Sequence, residues 1–327
     1  MFTSKLRIAA ITLASIVLFA HPVSHAQPYP SRPVKIVVPY PAGGGIDVLA
    51  RSLAQQLSVK WGKAVIVENR SGSATIIGAD AVAKSPPDGY TLLLTTQTTV
   101  STNPLLYSKL PYNAQKDFQP ITQLVHLNQI LLTRADGPMS TFSDMIKQVK
   151  TKPGRYNYAS YGSGSEPHLA MEMLKNKAGL FIVHVPYRGV PLSLAALLGG
   201  EVEFTFSGAA SSMPHIQSGK LTPLAIGGKT RLGLLPQIPT FAELGFAEVP
   251  AQAWFGLFSP SGTPLDIVRK IAQDIRDISI NPEFQQRDVQ ARGYEPIFST
   301  PTDFVRAIEL ERASIARAVK VSGAVVD

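Results

Sequence analysis

Short runs of β-branched and other apolar residues alternate along the chain with longer stretches whose apolar positions recur at helical spacing. That alternation predicts α/β layers with mostly parallel strands. Val34–Val38 reads as a buried strand, followed by a Gly-rich turn and a helix over about 46–60. A second strand is expected over 64–68, a short helix over Ile76–Ala83, a turn at Pro86-Pro87-Asp88-Gly89 and a strand over Thr91–Thr95. A second set begins after about residue 128. It has strands over 156–159, 181–185, 203–206 and Leu221–Ile226, and helices over 166–177, 192–198 and 213–218. A strand at 255–258 returns to one of the sheets. Thr263-Pro264-Leu265-Asp266 and Thr300-Pro301-Thr302-Asp303 each offer Thr as N-cap, Pro at the first helical position and an acid two residues on. In the last helix Phe304, Ile308, Ile315 and Val319 share one face, so it should pack on a lobe.

The N-terminus reads as an address. Lys5 and Arg7 precede an apolar run from Ile8 to Phe19, Pro22 closes it, and Ser24-His25-Ala26 supplies small residues at a cleavage site. Residues 1–26 are therefore expected to be a cleaved signal peptide, leaving a soluble periplasmic protein. Beyond that run no apolar stretch is long enough for a membrane span.

The 327 residues suffice for about two domains, and 45% apolar content with 17% charged excludes intrinsic disorder. The absence of Cys rules out disulfides, thiolate metal sites and Cys nucleophiles. Without the leader, 29 basic residues face 23 acidic ones, a net charge of about +6. The basic positions are scattered rather than gathered into a phosphate track, so no nucleic-acid partner is expected. No HExxH, EF-hand or paired-carboxylate pattern is present, and neither metal nor cofactor is expected.

Three post-strand loops could carry chemistry. Tyr40-Pro41-Ala42-Gly43-Gly44-Gly45-Ile46-Asp47 joins a strand to a helix. Its glycines let a ligand approach backbone N–H groups at a helix N-terminus, a natural seat for an anion. It is neither a Walker A loop nor a dinucleotide fingerprint. Ser160-Tyr161-Gly162-Ser163-Gly164-Ser165-Glu166-Pro167-His168 repeats the plan with added hydroxyls. It lacks the Gly-x-Ser-x-Gly spacing of a nucleophile elbow. In Val185-Pro186-Tyr187-Arg188-Gly189 a guanidinium could pair with a carboxylate.

These loops resemble those of the substrate-binding receptors of tripartite tricarboxylate transporters, the Bug-type periplasmic receptors. The likeness begins at Tyr29-Pro30-Ser31-Arg32-Pro33 and runs through Val67-Glu68-Asn69-Arg70 and Ser85-Pro86-Pro87-Asp88-Gly89-Tyr90. It continues at Lys116-Asp117-Phe118, Leu235-Pro236-Gln237-Ile238-Pro239-Thr240-Phe241-Ala242-Glu243 and Ala253-Trp254-Phe255-Gly256-Leu257. It thus spans the mature chain in order. The sequence departs from the family pattern at Tyr161, Arg188, Thr98-Thr99-Val100 and Ser207.

The resemblance implies a Venus-flytrap architecture of two α/β lobes, one from 27–128 plus 252–327 and the other from 129–251. A non-catalytic receptor would close on a small organic acid and deliver it to transporter membrane subunits, acting as a monomer. The ligand would meet Tyr40, Ala42, Gly43, Gly44 and Asp47 on one loop. Ser160, Gly162, Ser163, Gly164, Ser165 and His168 would face it from the other, with Thr98, Tyr187 and Arg188 completing the set. Two alternatives share the sequence: a ligand sensor of the same fold, and a serine hydrolase using Ser163 or Ser165 with His168. Thr240 and Glu243 are expected to start an ordinary helix.

Overall fold

The computed structural model describes residues 29–72 and 74–324; the expected leader at 1–26 lies outside the described residues. The fold is that of the unit beginning at Arg32. In chain order its first half holds β1 (Val34–Val38), α1 (Gly45–Trp61), β2 (Val65–Asn69), α2 (Ile76–Ala83) and β3 (Thr91–Thr95). The long strand β4 (Phe118–Arg134) leads to α3 (Phe142–Thr151), β5 (Asn157–Ser160), α4 (Glu166–Ala178), β6 (Val183–Pro186) and α5 (Val190–Gly199). Then come β7 (Phe204–Gly208), α6 (Ala209–Gln217), β8 (Leu221–Ile226), β9 (Gln252–Pro260), α7 (Leu265–Ser279), β10 (Tyr294–Pro296) and α8 (Pro301–Ser322).

The strands form one sheet in the order β2-β1-β3-β9-β4-β7-β5-β6, with β8 and β10 also paired to β4. The outer strands β2-β1-β3 and β7-β5-β6 are parallel, as the βαβ pattern predicts. The central β4 and β9 run antiparallel to their neighbours, so the sheet as a whole is mixed. β4 is the seam. Its residues up to Asn128 pair with β9, and from Gln129 onward it pairs with β7 and β8. Helices cover the sheet, and the buried apolar side chains gather into separate clusters on either side of the seam.

Side-chain caps fix the starts of α3 and α8, and three helix starts depart from expectation. Thr300 caps α8 by accepting from the Asp303 amide at 3.1 Å. Thr263 does not cap α7, because its hydroxyl donates to Pro260 O at 2.7 Å and the helix starts at Leu265 after Pro264. Thr240 and Glu243 exchange both bonds of a capping box, yet they close only a turn, which ends at Gly245 in left-handed backbone. α6 starts at Ala209, four residues before the expected position, directly off the end of β7.

α8 is shared. Phe304 is fully buried with Trp254 and Phe258, whereas Ile315, Ala318 and Val319 join the cluster around α3 and α4. Between them Glu311 accepts from Trp254 Nε1 at 2.7 Å and Ser101 Oγ at 2.8 Å. Burial raises its carboxyl to about 7, against the pull of those two donors. The folded state therefore favours protonated Glu311. Its contribution is complete below pH ~4.5 and is lost as pH rises through about 7, worth about 3 kcal/mol across that window. Thermal denaturation of parent and Glu311→Gln at pH 4.5 and 8 should show a smaller fall in Tm for the variant. Parallel falls would refute the assignment.

Candidate functional site

The loop between β1 and α1 is held from behind. Asp47, at the third position of α1, accepts from the Gly43 amide at 2.9 Å, Arg51 Nε at 3.1 Å and Asn69 Nδ2 at 2.9 Å. Burial alone would raise its carboxyl, but these donors more than offset it and the net shift is downward. Gly43 has φ +84°, a backbone that favours glycine. The Tyr40 hydroxyl bonds Thr96 Oγ1 at 2.8 Å, and Thr96 Oγ1 donates to Glu166 Oε1 at 2.5 Å. Thr98 Oγ1 donates to the same oxygen at 3.0 Å. The first residue of α4 is thus tied across the seam to the end of β3.

The loop between β5 and α4 has its own underpinning. Ser160 is buried and bonds His184 Nε2 at 2.6 Å, while Ser165 Oγ donates to Gly162 O at 2.6 Å. His168 Nδ1 accepts from the Gly164 amide at 2.9 Å, and its ring stacks on His184 at 4.1 Å. Burial lowers both imidazoles, His184 to about 3, which keeps His168 neutral and able to accept. Among the described hydrogen bonds, neither Ser163 nor Ser165 pairs with His168.

Between the loops lies a nearly filled space of about 50 Å³. Tyr40, Pro41 and Tyr161 line both this space and a wider cavity of about 630 Å³. Of the sequence-predicted residues, Tyr40 and Gly44 line the inner space. Tyr40 also lines the outer cavity with Thr98, Gly162, Ser163, Ser165, Tyr187 and Arg188. Ala42, Gly43, Asp47, Ser160, Gly164 and His168 line neither. Ala42 and Gly43 are exposed, and Asp47, Ser160 and His168 act as braces beneath the loops. The β1–α1 loop also meets the loop between β6 and α5 at Gly189, where a Cβ would stand 3.0 Å from Pro41 Cγ.

Sequence reasoning missed the far wall. The N-terminus of α6 enters the inner space through Gly208, Ala210 and Ser211, and Phe255 and Tyr294 add aromatic surface. Ser207-Gly208-Ala209 was the legible signal: a third strand ending in Gly before a helix. Nothing local marks Tyr294, which reaches the site because the three-residue β10 pairs with β4 at Leu127. Burial raises the phenols of Tyr40, Tyr161 and Tyr294, so all three remain protonated donors. Among the described residues, no Lys, Arg or His lines the inner space. The arrangement suits an anion held by amides and hydroxyls at helix ends.

Comparison with known proteins agrees with this architecture. Residues 49–323 match the family model described as Tripartite tricarboxylate transporter family receptor. Protein BugT of Bordetella pertussis (strain Tohama I) is 34% identical over 323 residues, covering 98% of each chain. The structure of R. palustris Rpa4515 with adipate superposes with a TM-score of 0.87 at 32% identity, over 90% of this chain and 98% of that one. MatC (Rpa3494) from Rhodopseudomonas palustris with bound malate gives 0.82 at 27% identity, over 89% and 100%. On the match of the family model across most of its length, this chain belongs to the tripartite tricarboxylate transporter receptors.

Proposed function

We propose that the protein is a non-catalytic periplasmic receptor, freed of its leader at residues 1–26, that takes a small carboxylate between two lobes. The lobes are 27–128 plus 252–327 and 129–251; the change of β4 partners at Asn128/Gln129 and the start of β9 at Gln252 support that division. The receptor works as a monomer and passes its ligand to transporter membrane subunits. One observation carries the reading: the N-termini of α1 and α6 open into an inner space that, among the described residues, no basic side chain lines. Adipate and malate in the two Rhodopseudomonas neighbours support a carboxylate.

The magnitudes call for both lobes. Micromolar binding needs about −8 kcal/mol, one helix terminus gives ~0.3–2, and charge-assisted bonds add ~1.5–3 each. A thermal-shift screen over adipate, malate and other small carboxylates should find a ligand that raises Tm by a few degrees at 100 Kd, since saturation adds ~2.7 kcal/mol. No shift with any carboxylate would sink the reading. Ser163→Asp supplies a local check, because it sets an anion in the outer cavity at the start of α4. Without ligand its Tm should match the parent's. Its ligand-induced shift should vanish, and undiminished affinity would remove this loop from the site.

A further inference from the structure

The inner space holds an acid as well as donors. Glu166 is only 5% exposed, lines the space, and has no cationic partner among the described residues. Both threonine bonds go to Oε1, and among the described residues nothing donates to Oε2. A buried carboxyl group beside a ligand cavity costs free energy unless something positive or donating meets it there.

The opposite wall has the complementary defect. The Tyr294 hydroxyl is buried without a hydrogen-bond partner, on a residue 4% exposed. It stands beside the N-terminus of α1, where a Cβ on Gly45 would lie 2.6 Å from the phenol oxygen and 3.7 Å from Ala210 Cβ at the start of α6. An unpartnered phenol thus sits where two helix ends present their amides. On one side the space lacks a cation, and on the other it lacks an acceptor.

We propose that the ligand is zwitterionic: an ammonium group meets Glu166, and a carboxylate beside it meets Tyr294 and the N-termini of α1 and α6. The inference rests on the carboxylate-receptor reading and narrows it to amino acids. Size agrees. One water needs roughly 10–15 Å³ of such space, so about 50 Å³ admits about four small groups, close to an α-amino-carboxylate head. The side chain then extends into the outer cavity of about 630 Å³. Ammonium-carboxyl and phenol-carboxylate contacts are charge-assisted and strong when desolvated. Glu166 is accordingly a specificity-determining residue, and its threonine bonds orient it.

Matched acids that differ only in the amino group test this by calorimetry. The pairs are aspartate and succinate, glutamate and glutarate, leucine and 4-methylpentanoate, and phenylalanine and 3-phenylpropanoate. The parent should bind the amino member of at least one pair tenfold or more tightly than its partner. Glu166→Gln should collapse that ratio toward one. Tyr294→Phe should weaken the amino acid about tenfold without lowering the Tm of the unliganded protein, since its hydroxyl bonds nothing there. The inference is overturned if the parent binds the desamino acids as tightly, or if Glu166→Gln leaves the ratio intact. It is also overturned if Tyr294→Phe leaves amino-acid affinity unchanged. Binding of desamino acids alone overturns the inference and leaves the carboxylate receptor standing. Binding of neither member of any pair overturns the inference too, while the carboxylate receptor falls only if adipate, malate and the wider screen also give no shift.

Discussion

Gly227→Ala should destabilise the protein by more than about 4 kcal/mol, lowering Tm by roughly 10 °C or abolishing soluble expression. A Cβ there would stand 1.6 Å from Ala251 O and 2.4 Å from its carbonyl carbon. Both are backbone atoms, and neither can step aside. The Gly227 amide donates to Gln129 O at 2.8 Å, and the Gln129 amide donates to Ala251 O at 2.9 Å. Three segments are thus clamped where β4 changes partners. Gly219→Ala is the control, because its φ is +69° but nothing lies within 4 Å of the new atom. It should cost only the ~1–2 kcal/mol of left-handed backbone. Thermal denaturation of the two variants decides the matter, and a parental Tm for Gly227→Ala would refute the close approach.

Gly44→Val should reduce ligand affinity at least a hundredfold while the fold survives. Gly44 adopts φ −75° and ψ 162°, which any residue tolerates, and its Cβ would meet only Pro41 O at 3.8 Å. The cost to folding is that of a poorer N-cap, about 1 kcal/mol. Gly44 lines the inner space at the start of α1, so the added isopropyl group takes room from a ligand there. Titration with whichever carboxylate shifts the parent is the check. Undiminished binding by a folded variant would show that this helix end is not the seat.

The first half of the fold was legible because its signals are local. Val34–Val38, Ile76–Ala83 and Thr91–Thr95 have the predicted bounds, since β-branched runs and helical spacing act within a few residues. The 17-residue β4 was not legible. Its pattern mixes buried Thr, Gln and Asn with apolar positions, so neither strand alternation nor a continuous apolar run is visible. The site divided in the same way. Two Gly-rich loops announce themselves in sequence. Glu166 was not singled out within its loop, and Tyr294 arrives through a pairing more than 160 residues apart in sequence. Asp47 and His168 were expected at the ligand, but the structure sets them behind the loops, where they brace the Gly43 and Gly164 amides.

The last helix also governs when the protein can become native. Phe304 completes one cluster of buried side chains, and Ile315, Ala318 and Val319 complete another. A chain delivered N-terminus first therefore lacks a piece of both cores until its final twenty or so residues arrive. β9 comes almost as late, and without it β3 and β4 have nothing between them. Such long-range closure makes folding slow compared with local helix formation. This wiring acts as a timer: premature collapse of a partial chain is denied the contacts that would make it stable.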